Sequence, residues 1–336
     1  MKETKLSKRL DGRDETILDP DLPIIDAHHH MRTGYMFEEL VDDANAGHNI
    51  KATVYVESRT FMRTEGPEAL RPIGEIEYAN GVGSMGASGV YGPCRVASAI
   101  VGYANLTFGD EIGAFFDRAM AAAPDRFRGI RQPTLEHASA VTWRYVPHPP
   151  PSGLLEHPGF RPGFKQLASR GLTFDAAIFS QQLPAIAELA DVFPDTTIIL
   201  DHMGLIMALE TDQRERNQLF KQWQSDLTDI AARPNVVCKV GGLGLAYWGF
   251  GFEDRTDAIG YQELAGAWKP YVESAIEVFG ADRCMLESNF PADAVSCGYV
   301  PLWNALKYVV KDASEAEKAA LFHGTAERVY QISPVA

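Results

Sequence analysis

Eight short apolar runs punctuate the chain, at residues 24–27, 53–57, 97–102, 128–131, 172–178, 197–201, 236–240 and 283–288. Most are flanked by Gly, Pro or charged residues, as strands buried on both faces are. Between several of them lie segments with apolar residues at spacings of three and four, at 110–123, 184–193, 213–232, 264–279 and 314–330. That spacing predicts helices with one buried face. Strands alternating with helices predict a parallel sheet, and eight of them predict a single-domain (β/α)8 barrel. A doubly wound open sheet is the alternative, but no GxGxxG follows an early strand. The barrel is expected over residues 23–332, preceded by a polar extension, 1–22. Three long connections, 58–95, 132–160 and 243–261, follow strands and so belong on the C-terminal face, where barrel enzymes build their sites.

Composition narrows the function classes. Of the 336 residues, 46% are hydrophobic and 23% charged, which fits a globular chain. Acidic residues outnumber basic ones by 45 to 31, a net charge of -14, which argues against nucleic acid and anionic membranes as partners. A small-molecule substrate is expected instead. The four cysteines form no CxxC pair, as in reduced cytosolic proteins. The first 22 residues carry no apolar stretch, so no secretory signal is expected, and no run of about 18 apolar residues predicts a membrane span. The expectation is a cytoplasmic protein, with a homodimer as the ordinary assembly.

Ionisable groups concentrate at predicted strand ends. Three of the nine histidines fall in IIDAHHHM, residues 24–31. Side chains two apart on a strand share a face, so His28 and His30 point together and His29 points away. Two such imidazoles bind a metal or polarise a carbonyl. IILDHMGL ends an apolar run in Asp201 and His202, costly groups at a buried position unless paired or used. In RCMLESNFPAD, Glu287 and Asn289 share a face, and a carboxylate there suits a general base. Arg131, ending FRGIR, suits bidentate binding of a substrate carboxylate. Glu57 and Arg59 close the second strand, and Tyr247 and Trp248 stand in the last long loop as wall or cap.

Together DAHHH, FRGIR, LDHMG, KVGGLG and ESNFP resemble the amidohydrolase-related (amidohydrolase 2) family, within it the lactonase branch, from about Pro23 to Tyr330. The resemblance implies a (β/α)8 barrel hydrolase with an HxH pair at His28 and His30, a sixth-strand histidine at His202 and an arginine for acidic lactones at Arg131. It implies one divalent ion at most, zinc or manganese, on His28, His30 and His202, with a metal-free mechanism as the alternative. The family's eighth-strand Asp position is Asn289 here, and a neutral amide is a poor base. Tyr103, Gln132 and Ser180 stand where histidine is common in that subgroup, and Ser180 is taken as a substrate-side residue. The base then falls to Glu287, with Glu57 and Asp293 as rivals.

The function expected is a hydrolase opening a lactone or similar cyclic ester of a small anionic or hydroxylated molecule, by water attack on the carbonyl. A metal-dependent decarboxylase and a barrel that binds without turnover are the alternatives.

Overall fold

A computed structural model describes residues 8–146 and 149–334. All eight runs are strands: β1 (Ile24–His29), β2 (Ile50–Val56), β3 (Arg95–Tyr103), β4 (Phe127–Arg131), β5 (Thr173–Ala176), β6 (Ile198–Leu200), β7 (Val236–Val240) and β8 (Cys284–Leu286). They pair in parallel, each with the next. The ring nearly closes where β8 meets β1, through a His29–Phe290 bridge and hydrogen bonds from Asn289 N to His28 O and His30 N to Phe290 O. The protein is a (β/α)8 barrel.

The helices are α1 (Phe37–Ala44), α2 (Ile73–Ala87), α3 (Gly113–Ala122), α4 (Phe160–Ala168), α5 (Leu183–Val192), α6 (Gln213–Ala231), α7 (Tyr261–Phe279), α8 (Tyr299–Val309), α9 (Glu315–Ala319) and α10 (Thr325–Tyr330). Periodicity anticipated α3, α5, α6, α7 and the α9–α10 segment, which a π turn over Ala320–Gly324 interrupts. It did not anticipate α2, which occupies the middle of the glycine-rich connection. The glycines there are contact points. A Cβ on Gly83 would lie 2.6 Å from Arg126 Nε, and one on Gly86 2.9 Å from Val96 N. Their absence lets α2 lie against β3, so helix propensity yields to close packing. No helix among the described residues is long and apolar enough to cross a membrane.

Inside the barrel the lower layer is apolar: Ile25, Ala27, Val54, Val56, Ala99, Val101, Ile199, Val237 and Met285 pack together. Ala326, Tyr330 and Ile332 join this cluster and seal the bottom with the end of the chain. Above it the interior turns polar, and the site begins. Residues 8–22 dock on the barrel's flank. Arg9 pairs with Asp42 and Asp43, Leu18 N donates to Asn304 Oδ1, and Lys307 Nζ donates to the carbonyls of Leu18 and Asp19.

Candidate active site

The register between β1 and β2 slips between Asp26 and His29. Ile25 and Ala27 face the barrel interior, and the slip lets His28 face it too, as bulges do when they re-aim a side chain. His28 and His30 meet with Nε2 atoms 3.2 Å apart. His29 points outward, its Nε2 2.8 Å from Thr53 Oγ1. The alternation read in the sequence holds.

A hydrogen-bond partner fixes the proton position on His30. The Val56 carbonyl, 2.9 Å from His30 Nδ1, can only accept, so that nitrogen carries the hydrogen. His30 Nε2 is thereby left to accept, while His28 stands between donors on both sides, Lys239 Nζ 3.2 Å from Nδ1 and Arg131 NH1 3.2 Å from Nε2, with Glu287 Oε2 3.0 Å from Nδ1. Burial, reinforced by Lys239, lowers the pKa of His28, and burial with Arg131 and His28 lowers that of His30 further. Both rings are neutral.

His202 and Glu287 come from β6 and β8 across one strand. His202 Nδ1 lies 2.5 Å from Glu287 Oε1. Glycines of KVGGLG make the room. A Cβ on Gly242 would sit 2.4 Å from His202 Nδ1, and one on Gly241 2.4 Å from Glu287 Cγ. His202 and Asn289 both take positive φ, 53° each, as the backbone turns off the strand ends, a strained state typical of functional sites. Burial lowers the His202 pKa, but the charge and hydrogen bond of Glu287 outweigh it and raise the ring above its ordinary value. Glu287 is held below the carboxylate range: His202 and His28 outweigh its burial.

Beneath these groups lies a network that the sequence reading missed. Lys239 is fully buried on β7, 2.6 Å from Asp175 Oδ2 and 3.3 Å from Asp201 Oδ1. Tyr330, from the sealing C-terminal segment, donates to the same Asp175 oxygen at 2.8 Å. A line of contacts therefore runs from the barrel floor through Asp175 and Lys239 to His28 and His30. A lysine inside the apolar run VVCKV was the available clue, because a buried ammonium requires a partner.

Arg131 is also placed beside His28, but its donors are occupied. Nε and NH2 donate to the Glu57 carboxylate and carbonyl, each at 2.8 Å, and NH1 lies 3.4 Å from Asp201 Oδ2 and 3.2 Å from His28 Nε2. Glu57 is thereby the counter-charge of Arg131. Asn289 turns its amide to Asp293 Oδ1, and Gly244 N donates to the other Asp293 oxygen. Burial pushes Asp293 up to about 7.

The remaining candidates sit around the rim. Tyr247 donates to Thr142 O and meets Phe179 and Tyr145 edge-on, tying the seventh loop to the fourth. Trp248 turns away to Gly242 O and Tyr271, in the packing of α7. Ser180 is half-buried, its N–H bonded to Leu205 O. Arg59 is exposed and lies over the Tyr103 ring at 4.8 Å.

A metal fits this donor set. His28, His202 and Glu287 each offer a ligand atom, all within 4.8 Å of one another. Glu287 Oε2 is buried, 3.0 Å from His28 Nδ1, and has no hydrogen-bond partner. An anionic oxygen left open beside two imidazoles suits one divalent ion. His30 stands outside that set of three.

A family model described as amidohydrolase matches residues 25–332. The uncharacterized protein y4mH of Sinorhizobium fredii is 33% identical over 298 residues, covering 89% of this chain and 86% of that one. An L-fucono-1,5-lactonase of Burkholderia ambifaria is 28% identical over 199 residues, covering 59% of this chain and 57% of that one. The fold is shared with a crystal structure of an amidohydrolase from Burkholderia multivorans with bound zinc, at a TM-score of 0.67 and 20% identity over 92% of this chain and 99% of that chain.

Proposed function

The chain belongs to the amidohydrolase family and is a hydrolase, and from that premise we propose that it opens a lactone ring by adding water to the ring carbonyl. The observation that carries this reading is the 2.5 Å contact of His202 with Glu287, beside His28 and His30 at the barrel mouth. A lactonase among the relatives points the same way.

Glu287 fixes the His202 ring through Nδ1, which leaves Nε2 to accept a proton from water. The water oxygen bonds to the carbonyl carbon, and the carbonyl oxygen gains negative charge. The Arg131 guanidinium, whose NH1 lies 3.2 Å from His28 Nε2 and 3.4 Å from Asp201 Oδ2, supplies positive charge on that side of the mouth. The ring C–O bond then breaks, and the ring oxygen takes the proton from His202, giving the hydroxy acid. His28, His202 and Glu287 would hold a divalent ion, zinc or manganese. When bound, that ion supplies Lewis-acid polarisation of the carbonyl. Were His202 to serve as a ligand to that ion, Asp293, whose carboxyl burial raises to about 7, would be the remaining proton acceptor.

The test is acid release from a panel of aldonolactones by the wild type, His202→Asn and Glu287→Gln. Each substitution should lower kcat by about 10²–10⁴-fold, the range of general-base catalysis. Full activity in either variant overturns the assignment. Carbon dioxide release without ring opening would favour the decarboxylase instead. Metal content measured alongside, before and after chelation, separates the two proton acceptors. In the metal-free form kcat/KM should fall as pH drops through the raised pKa of His202, above 6.5, and Glu287→Gln should move that midpoint down. A midpoint unmoved by Glu287→Gln removes His202 as the base.

A further inference from the structure

We propose that Tyr103, at the mouth end of β3, is a substrate-binding residue whose phenol takes an uncharged hydroxyl of a polyhydroxylated lactone. The inference rests on the lactonase reading and narrows its substrate class.

The strand fixes where the ring points. Ala99 and Val101 face the barrel interior. Gly102 faces outward, where a Cβ would lie 3.0 Å from Ile76 Cδ1 of α2. By the period of two, Tyr103 faces inward again. Its Cα partner on β4 is Arg131, so the two residues stand side by side at one level of the mouth. The turn that follows Tyr103 is held by Gln132, whose Oε1 accepts from Leu106 N at 2.8 Å and whose Nε2 donates to Asn105 Oδ1 at 3.1 Å. From the side of β2, the Arg59 guanidinium lies over the ring, 4.8 Å from its centroid, and favours one orientation of its plane. The buried Glu75 carboxylate of α2 anchors the backbone there, accepting from Ser58 N at 2.8 Å and Arg59 N at 3.3 Å.

The hydroxyl at the end of this held ring is unused. Each fully buried tyrosine donates: Tyr35 to Asp43, Tyr55 to Glu75, Tyr247 to Thr142 O, Tyr299 to Asp26 and Tyr330 to Asp175. Tyr103 is half-buried and makes no hydrogen bond among the described residues. The other half-buried tyrosines, Tyr78, Tyr145, Tyr261 and Tyr271, lie on helices or in the loop after β4. Tyr103 alone ends a barrel strand and faces inward. A fixed polar group left open among the walls of a mouth is what orients a ligand.

Charge decides which group it takes. Burial is the largest influence on the phenol and raises its pKa, so the hydroxyl keeps its proton and donates. One cation, Arg59, and two carboxylates, Glu57 and Glu68, act on it. Arg131, beside it, is already paired with Glu57 and Asp201. An anion on the phenol would meet more negative charge than free positive charge, which selects against it. An uncharged hydroxyl incurs no such penalty, and a phenol can both donate to it and accept from it. A site that hydrogen-bonds a substrate hydroxyl rejects the analogue lacking it.

The test is calorimetric titration of the full chain with 1,5-anhydroalditols of the gluco and galacto configuration, six-membered ring polyols without an ester to hydrolyse. Tetrahydropyran, the same ring without hydroxyls, and tetrahydropyran-2-carboxylate, its anionic derivative, are titrated beside them. An anhydroalditol should bind more tightly than either. Tyr103→Phe should weaken that binding about tenfold, the worth of one neutral hydrogen bond. The substitution keeps the ring under Arg59 and breaks no hydrogen bond, so the urea midpoint should stay at the wild-type value. No binding of either anhydroalditol, tighter binding of the carboxylate, or wild-type affinity in Tyr103→Phe overturns the assignment. Ring opening is scored separately, as the ratio of kcat/KM for an aldonolactone over δ-valerolactone. Tyr103→Phe should lower that ratio about tenfold. Failure of the wild type to open any lactone, with binding that still depends on Tyr103, overturns the lactonase reading and upholds the subsite.

Discussion

The two sides of the barrel mouth are built on opposite plans. On the side of β6, β7 and β8, charged groups are fully buried and answer one another: His202 with Glu287, Lys239 with Asp175 and Asp201, Asp293 with Asn289 and Gly244. Loops stitched by Tyr247 cover it. On the side of β1, β2 and β3, His30 and Arg32 are half-buried and Arg59 is exposed. A low-dielectric pocket strengthens every charge interaction within it, so the first side holds its groups in fixed geometry. The second side leaves polar groups partly exposed, which is what recruiting a ligand requires. On the reading proposed above, the chemistry belongs to the closed side.

Substitutions on the closed side should therefore damage function and fold together. Gly242→Ala places a Cβ 2.4 Å from His202 Nδ1, at a residue whose φ is +64°. The ring must move, and a displacement of about 1 Å lowers turnover on the order of 10²-fold. Wild-type turnover in that variant would show that His202 needs no fixed seat. Lys239→Met leaves Asp175 buried without its cation and Asp201 with Arg131 alone. Breaking a buried ion pair from one side costs about 3–5 kcal/mol, to be read from urea unfolding. A loss under about 1 kcal/mol would mean that water replaces the ammonium. Tyr330→Phe removes only the hydroxyl that reaches Asp175 from the barrel floor. Its expected loss is about 1 kcal/mol, the net worth of one hydrogen bond, with the apolar seal intact. The comparison sharpens most at the smallest effect. Arg32→Met breaks no bond, so stability should change by no more than about 0.5 kcal/mol. A large loss would reveal Arg32 as a structural group and erase the contrast between the two sides.

Much of the architecture was legible in the chain because it follows from local rules. A strand buried on both faces must be apolar throughout, so all eight strand positions stood out. Helices with a clear buried stripe, such as α6 and α7, stood out for the same reason. The glycines of α2 hid a helix, because their role is to let it approach β3, a contact invisible along the chain. His28 and His30 were legible through the period of two. The partnership of His202 with Glu287 was not, since 85 residues separate them and only barrel closure brings β6 and β8 to one mouth. Arg131 shows the reverse case. Its position at a strand end was read correctly, but Glu57 and Asp201 had already claimed its donors.

By itself the sequence determined the family, the strand order and which residue types stand at strand ends, because hydrophobic period and motif order are properties of neighbours along the chain. Tertiary structure alone decided which of those groups meet. It set the hydrogen position on His30, through a carbonyl brought from another strand. It tied Arg131 to Glu57 and Asp201. Charge and hydrogen bonding act through distances of a few ångströms, and across a barrel those distances are fixed by packing rather than by spacing in the chain.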